Sequence, residues 1–236
     1  MKKISFLEKK LNVSAFAFVV AMAATSYSHA HGAHHHGNAT YVGLDAVYNW
    51  MGFKQDYGQN IFKKQAPGLN VFVGHMFHQN FGAELGFEWD KKVKKDVTIA
   101  ANEKVAGSIV STTASQVYKT KIDQTHPYLG VLAKTHLMNN TSISLLVGAS
   151  LSNIKAKYDL STPSVATRTF KKTKLIPLVR LAVEHKISDK FGIRGLVAWK
   201  NTSAFKVKSQ ETPSTTTEIK LKDTFNVGFG VAYYLG

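Results

Sequence analysis

Across residues 81–89 the chain alternates without exception: Phe81, Ala83, Leu85, Phe87 and Trp89 are apolar, while Gly82, Glu84, Gly86 and Glu88 between them are small or acidic. Successive side chains of a β-strand point to opposite faces, so a period of two describes a strand with one apolar face and one polar face. The pattern recurs in Val42, Leu44, Ala46, Tyr48 and Trp50 against Gly43, Asp45 and Asn49. It recurs again in Ile143, Leu145, Val147, Ala149 and Leu151 against Ser142, Ser144, Gly148 and Ser150. It closes the chain with Phe225, Val227, Phe229, Val231, Tyr233 and Leu235 against Asn226, Gly228, Gly230 and Ala232. Residues 69–77, 127–133, 175–187 and 191–199 follow less cleanly. About eight strands are predicted, each near the length that crosses a bilayer at a tilt.

The connections predict how the strands are arranged. Short turns are expected at 78–80, 135–140 and 188–190, and long polar stretches at about 51–66, 90–121, 156–173 and 201–222. Short connections at one end and long ones at the other are the mark of an outer-membrane barrel, an all-β, antiparallel, closed architecture. With the N-terminus on the periplasmic side, Trp50, Trp89 and Trp199 fall at the outer ends of their strands, and Tyr41, Phe77, Phe81, Phe191 and Tyr233 at the inner ends. Two aromatic belts result, as expected at two membrane interfaces. A soluble up-and-down barrel would need the large apolar residues inside, which the belts and the loop asymmetry argue against.

Composition fits an exported chain. Lys2, Lys3, Lys9 and Lys10 precede an apolar stretch at 13–24, and Ser28-His29-Ala30 offers the small residues read by a signal peptidase. A signal peptide is therefore expected over 1–30, followed by a His-rich periplasmic segment at 31–40 and the barrel at 41–236. Its removal lowers the formal charge from +15 to +12, so the mature chain stays strongly basic. The absence of cysteine excludes a disulfide-stapled scaffold. Past the N-terminus no apolar run approaches the ~20 residues of a spanning helix.

The chain resembles the small eight-stranded outer-membrane β-barrels of Gram-negative bacteria, the OmpA-like and OmpX-like transmembrane domains. The resemblance covers about residues 41–236. It rests on Tyr41-Val42-Gly43-Leu44-Asp45, on the alternating strand at 81–87, on the turn Ser188-Asp189-Lys190-Phe191-Gly192-Ile193 and on the alternating final strand. It implies the cell outer membrane as location, contact with outer-membrane lipid and lipopolysaccharide, and passage through the barrel-assembly machinery. Members often end on an aromatic residue that this machinery reads, whereas this chain ends Tyr234-Leu235-Gly236. The peptidoglycan-binding domain of full-length OmpA-like proteins is not implied.

Chemistry is expected in three places. An eight-stranded lumen is filled by its own side chains, and the inward set predicted from strand parity includes Asp45, Glu84, Glu88, Arg180, Glu184, Arg194 and Lys200, able to pair as salt bridges. His31, His34, His35 and His36 form a cluster that would bind transition metals weakly. Lysines crowd the strand ends and loops: Lys63 and Lys64; Lys91, Lys92, Lys94 and Lys95; Lys155, Lys157, Lys171 and Lys172; Lys206 and Lys208. These are candidates for binding polyanions such as lipopolysaccharide phosphates or host glycans. The interface aromatics are Tyr41, Trp50, Phe81, Trp89, Phe191, Trp199 and Tyr233. No catalytic residue, cofactor or dedicated nucleic-acid site is expected, because His75, His126, His136 and His185 are dispersed and no aromatic residues interleave with the lysines to stack bases. The reading is a monomeric structural and surface-interaction barrel, not an enzyme. A narrow solute channel is the alternative, and a lipid A-modifying enzyme stands third.

Overall fold

A computed structural model describes residues 39–55, 64–101, 115–160, 168–202, 206–210 and 216–235. The expected signal peptide and the His31–His36 cluster lie outside the described residues. The described chain forms nine antiparallel strands: β1 (Ala39–Gln55), β2 (Gln65–His78), β3 (Phe81–Ile99), β4 (Gln116–Met138), β5 (Thr141–Leu160), β6 (Arg168–Lys186), β7 (Phe191–Lys200), β8 (Lys206–Gln210) and β9 (Thr216–Tyr234). From β1 to β7 each strand pairs with the next, and β7 and β8 lie end to end along β9, so they make one stave between them. β9 returns to β1, with Tyr41 opposite Tyr234 and Trp50 opposite Phe225. The result is a closed barrel of eight staves, without the free edge that an open sheet would expose.

The apolar faces point outward. Leu85, Leu129, Val131 and Phe229 are each more than half exposed, whereas Asp45, Asn49, Asn70, Glu88 and Ser150 are fully buried. A barrel in water would reverse this distribution, because burying the Leu and Phe side chains is what stabilises it there. Here the apolar wall faces lipid. The aromatic row Trp199–Phe225–Trp50 crosses β7, β9 and β1 on that wall. At the opposite end Phe191 packs on Tyr233 with ring centroids 4.9 Å apart.

Tyr41 departs from the expected belt. Its neighbour Val42 faces outward, so alternation turns Tyr41 inward, and it is buried. Its ring lies over Gly74, where an added Cβ would come within 2.1 Å of it. Gly86 admits the Tyr128 ring in the same way, at 2.3 Å. Glycine at these two positions lets a large ring lie flat against the inner wall.

The stretches expected as long loops are in large part strand. β3 continues to Ile99, β4 begins at Gln116, β5 reaches Leu160 and β6 begins at Arg168. β4 has 23 residues, which at ~3.4 Å each spans roughly 75–80 Å; a tilted crossing needs only ~9–11 residues. The hairpins therefore project beyond the bilayer. The physical reason is continued alternation: Val93, Val97, Ile122, Ile154 and Ala156 are buried inside the projecting part, with exposed or half-exposed polar residues between them. A bulge between Asp90 and Val93 shifts the phase of β3 by one residue, so that odd positions face inward beyond it.

Candidate functional site

The lumen holds two polar clusters in series. In the first, Arg194 of β7 grips Asp45 of β1 with two bonds, Nε to Oδ1 at 2.7 Å and Nη2 to Oδ2 at 2.6 Å, and reaches Glu84 of β3 at 3.1 Å through Nη1. Arg180 of β6 donates to Glu84 at 2.8 Å and to the Tyr128 hydroxyl at 2.8 Å. Tyr128 and Tyr41 donate to Glu84 at 2.7 Å and 3.2 Å, and the Asn70 amide donates to Asp45 at 2.7 Å. The Arg194 guanidinium stands 3.5 Å from the centre of the Phe72 ring, and that of Arg180 4.5 Å from the centre of Tyr128. Two carboxylates thus meet two guanidinium groups, and the fork of Arg194 gives its pair with Asp45 direction as well as charge. Nearer the turns, Glu184 is held by Lys134 at 3.1 Å and by the Tyr234 hydroxyl.

The second cluster lies farther out along the same strands. Lys200 of β7 donates to Glu88 at 2.5 Å. The Asn49 amide of β1 bridges Glu88 Oε1 at 3.0 Å and Asp90 Oδ1 at 2.7 Å, and Asn226 reaches both Glu88 oxygens at 3.3 and 3.4 Å. His126 of β4 contacts Ser152 through Nδ1 at 2.7 Å. Its Nε2 faces Gln124 Oε1 at 3.2 Å and Asp90 Oδ2 at 3.6 Å. All of these side chains are buried.

Every expected lumen residue (Asp45, Glu84, Glu88, Arg180, Glu184, Arg194 and Lys200) is buried and has an oppositely charged partner in one of these groups. Sequence reasoning did not name Tyr128, Lys134, His126 or Asp90 as lumen residues. Parity along β4 was a usable signal for Tyr128 and His126, which alternate with the outward Leu129 and Val131. Asp90 sat at the edge of an expected loop, and the bulge that follows it carries no clear signature.

The cationic candidates divide between two faces of the projecting hairpins. Lys94 and Lys157 stand on either side of Lys121, a residue the sequence pattern did not single out, in one row across β3, β4 and β5. They alternate with the buried Val93, Ile122 and Ala156, which puts them on the outer wall. One step nearer the membrane, Asp123, Lys155 and Lys171 form the next row across β4, β5 and β6, with Lys92 paired to Asp123 at 3.3 Å. Lys64 and Lys91 are exposed. Lys95 and Lys172 are half-buried and fall on the inner face, opposite Thr120 and Ile154. Lys206 and Lys208 belong to β8, opposite Lys220 and Glu218, and Lys63 lies outside the described residues. Among the interface aromatics Trp50, Trp89 and Phe191 are exposed on the wall, and Phe81, Trp199 and Tyr233 are partly so.

Two solved structures share this architecture. One is a major outer membrane protein of Thermus thermophilus, with a TM-score of 0.52 and 14% identity, covering 85% of this chain and all of that one. The other is OprG of Pseudomonas aeruginosa, with a TM-score of 0.50 and 12% identity, covering 84% of this chain and 96% of that one. At such identities the likeness is one of fold. No curated protein matches the chain in sequence. The profile of the outer membrane protein beta-barrel domain, however, matches residues 14–233. That match spans most of the sequence and agrees with a barrel turned apolar side out: the chain belongs to the outer membrane protein beta-barrel domain family, and the outer membrane is where it resides.

Proposed function

We propose that this barrel is a structural and surface-interaction protein whose projecting hairpins bind densely charged polyanions, with lipopolysaccharide phosphates as the first partner and acidic host glycans as the second. On this reading residues 1–30 direct export and the mature N-terminus is periplasmic. One observation carries the proposal: Lys94, Lys121 and Lys157 lie directly opposite one another on the lipid-side wall, and the adjoining row adds Lys155 and Lys171 beside Asp123, which Lys92 already pairs. Like charges directly opposite on neighbouring strands repel, so such rows are stable with an anion between them. They stand beyond the aromatic Trp89 and its partner Thr125, at the height where an apolar wall gives way to charged headgroups. Each lysine near an anionic surface contributes about 1 kcal/mol.

The test replaces Lys94, Lys121 and Lys157 with Gln in the full chain and measures binding to lipopolysaccharide, to lipopolysaccharide stripped of its lipid A phosphates, and to heparin. A loss of about tenfold or more, with a shallower dependence on salt, is the expected result. Loss on intact lipopolysaccharide alone assigns lipid A; loss on heparin as well assigns a general polyanion surface. Unchanged binding to all three would reject the reading. A lumen crossed by ion pairs supports a plugged barrel over the channel alternative, and stable single-channel steps in a planar bilayer would reverse that preference.

A further inference from the structure

We propose that Glu88, Asp90 and His126 form a binding site for one divalent transition-metal ion, of which Zn(II) is the best-matched example, inside the lumen. One ligand atom from each of the three lies within 4.8 Å of the others, and all three side chains are buried. Donors of a tetrahedral zinc ion stand about 3.4 Å apart, so the set needs to converge by about an ångström. One imidazole with two carboxylates suits a borderline cation better than magnesium or calcium, which take oxygen ligands alone.

A second observation points to a missing cation. Among the described residues Asp90 Oδ2 has no hydrogen-bond donor, although its carboxyl is almost completely buried, and the neighbouring Asn49 Oδ1 and Asn226 Oδ1 are also unpartnered. An unsatisfied acceptor in such a place costs about 1–3 kcal/mol, more when charged. Glu88 keeps a free lone pair as well, since its Oε2 accepts only the 3.3 Å bond from Asn226. Two tautomers of His126 fit its contacts: with Nε2–H donating to Gln124 Oε1 the ring is satisfied alone, and with Nδ1–H donating to Ser152 the Nε2 lone pair faces Gln124 Oε1 and Asp90 Oδ2, open to a cation. In the second tautomer the Ser152 hydroxyl is the outer hydrogen-bond partner that a metal-bound histidine uses. Lys200 offsets only one of the two carboxylate charges.

The experiment separates this site from the histidine tract. The full chain carrying Ala at His31, His34, His35 and His36 is refolded in detergent and titrated with Zn(II) by calorimetry and with Co(II) by visible absorption. One ion per folded chain is expected, with cobalt bands characteristic of mixed nitrogen and oxygen ligands. Adding Asp90→Asn or His126→Gln should weaken binding at least tenfold while heat-modifiable migration on gels is kept. Asp90→Asn is isosteric and carries the test if His126→Gln does not fold. No stoichiometric binding in the tract-free chain, or binding unaffected by both substitutions, would overturn the site.

Discussion

Both lumen clusters set two buried carboxylates against cationic side chains and amides, and they differ in their balance of donors and acceptors. Around Asp45 and Glu84, two guanidinium groups face two carboxylates, and one acceptor (Asn70 Oδ1) and one donor (Arg180 Nε) are left over among the described residues. Around Glu88 and Asp90, one ammonium faces two carboxylates, and the leftover atoms are three acceptors: Asn49 Oδ1, Asp90 Oδ2 and Asn226 Oδ1. The first cluster is electrically closed. The second has a deficit of positive charge. A buried charge is tolerated when it is paired and hydrogen-bonded, so the first arrangement suits permanent packing and the second suits accepting something more.

Substitutions sharpen this difference, beginning with the largest effect. Arg194→Leu leaves Asp45 without its two strongest bonds and removes one from Glu84; a loss of about 3–5 kcal/mol is expected in urea unfolding from lipid or detergent. Lys200→Met removes the one ammonium that pairs with the second cluster among the described residues and is expected to cost about 3 kcal/mol without metal. Added Zn(II) should restore part of that loss, because ligands of the folded state stabilise it by mass action. No such rescue is expected for Arg194→Leu. Asp90→Asn should cost under about 1 kcal/mol, since it removes a charge whose Oδ2 already lacks a donor; a cost as large as that of Arg194→Leu would erase the distinction between the clusters. Smallest of all, Lys155→Gln with Lys171→Gln on the outer wall should leave stability within about 0.5 kcal/mol while weakening lipopolysaccharide binding.

Parity makes the barrel legible in the sequence alone. Once Leu85 and Phe87 face one side, Glu84 and Glu88 must face the other, and the same reasoning places Arg180, Glu184 and Arg194 in the lumen. Parity says which face a side chain takes but not which partner it meets. Arg194 and Asp45 are 149 residues apart, and Arg180 and Glu84 are 96 apart; their meeting depends on register and barrel stagger, which no local pattern encodes. Tyr41 shows the opposite failure, because an expectation of aromatic belts overrode an alternation that already pointed it inward. The extent of the hairpins was missed at the bulge after Asp90, where a shift of one residue turned a regular alternation into what reads as an irregular polar stretch. Cationic loops thus became strands, and the lysines on them acquired fixed positions relative to one another.

Closure through β1 and β9 also bears on time. Asp45 lies on the first strand and Arg194 on the seventh, with Glu84 and Arg180 on strands between them, so their bonds span the lumen and not the neighbouring rungs of a hairpin. An open, partly inserted sheet can form every rung between β2 and β7 while these four groups are still apart. The cluster therefore forms with closure, and where closure follows the rate-limiting step, interactions made in it slow unfolding without speeding folding. On that account the central ion pairs act as a latch: their loss would shorten the lifetime of the finished barrel and leave its rate of insertion nearly unchanged.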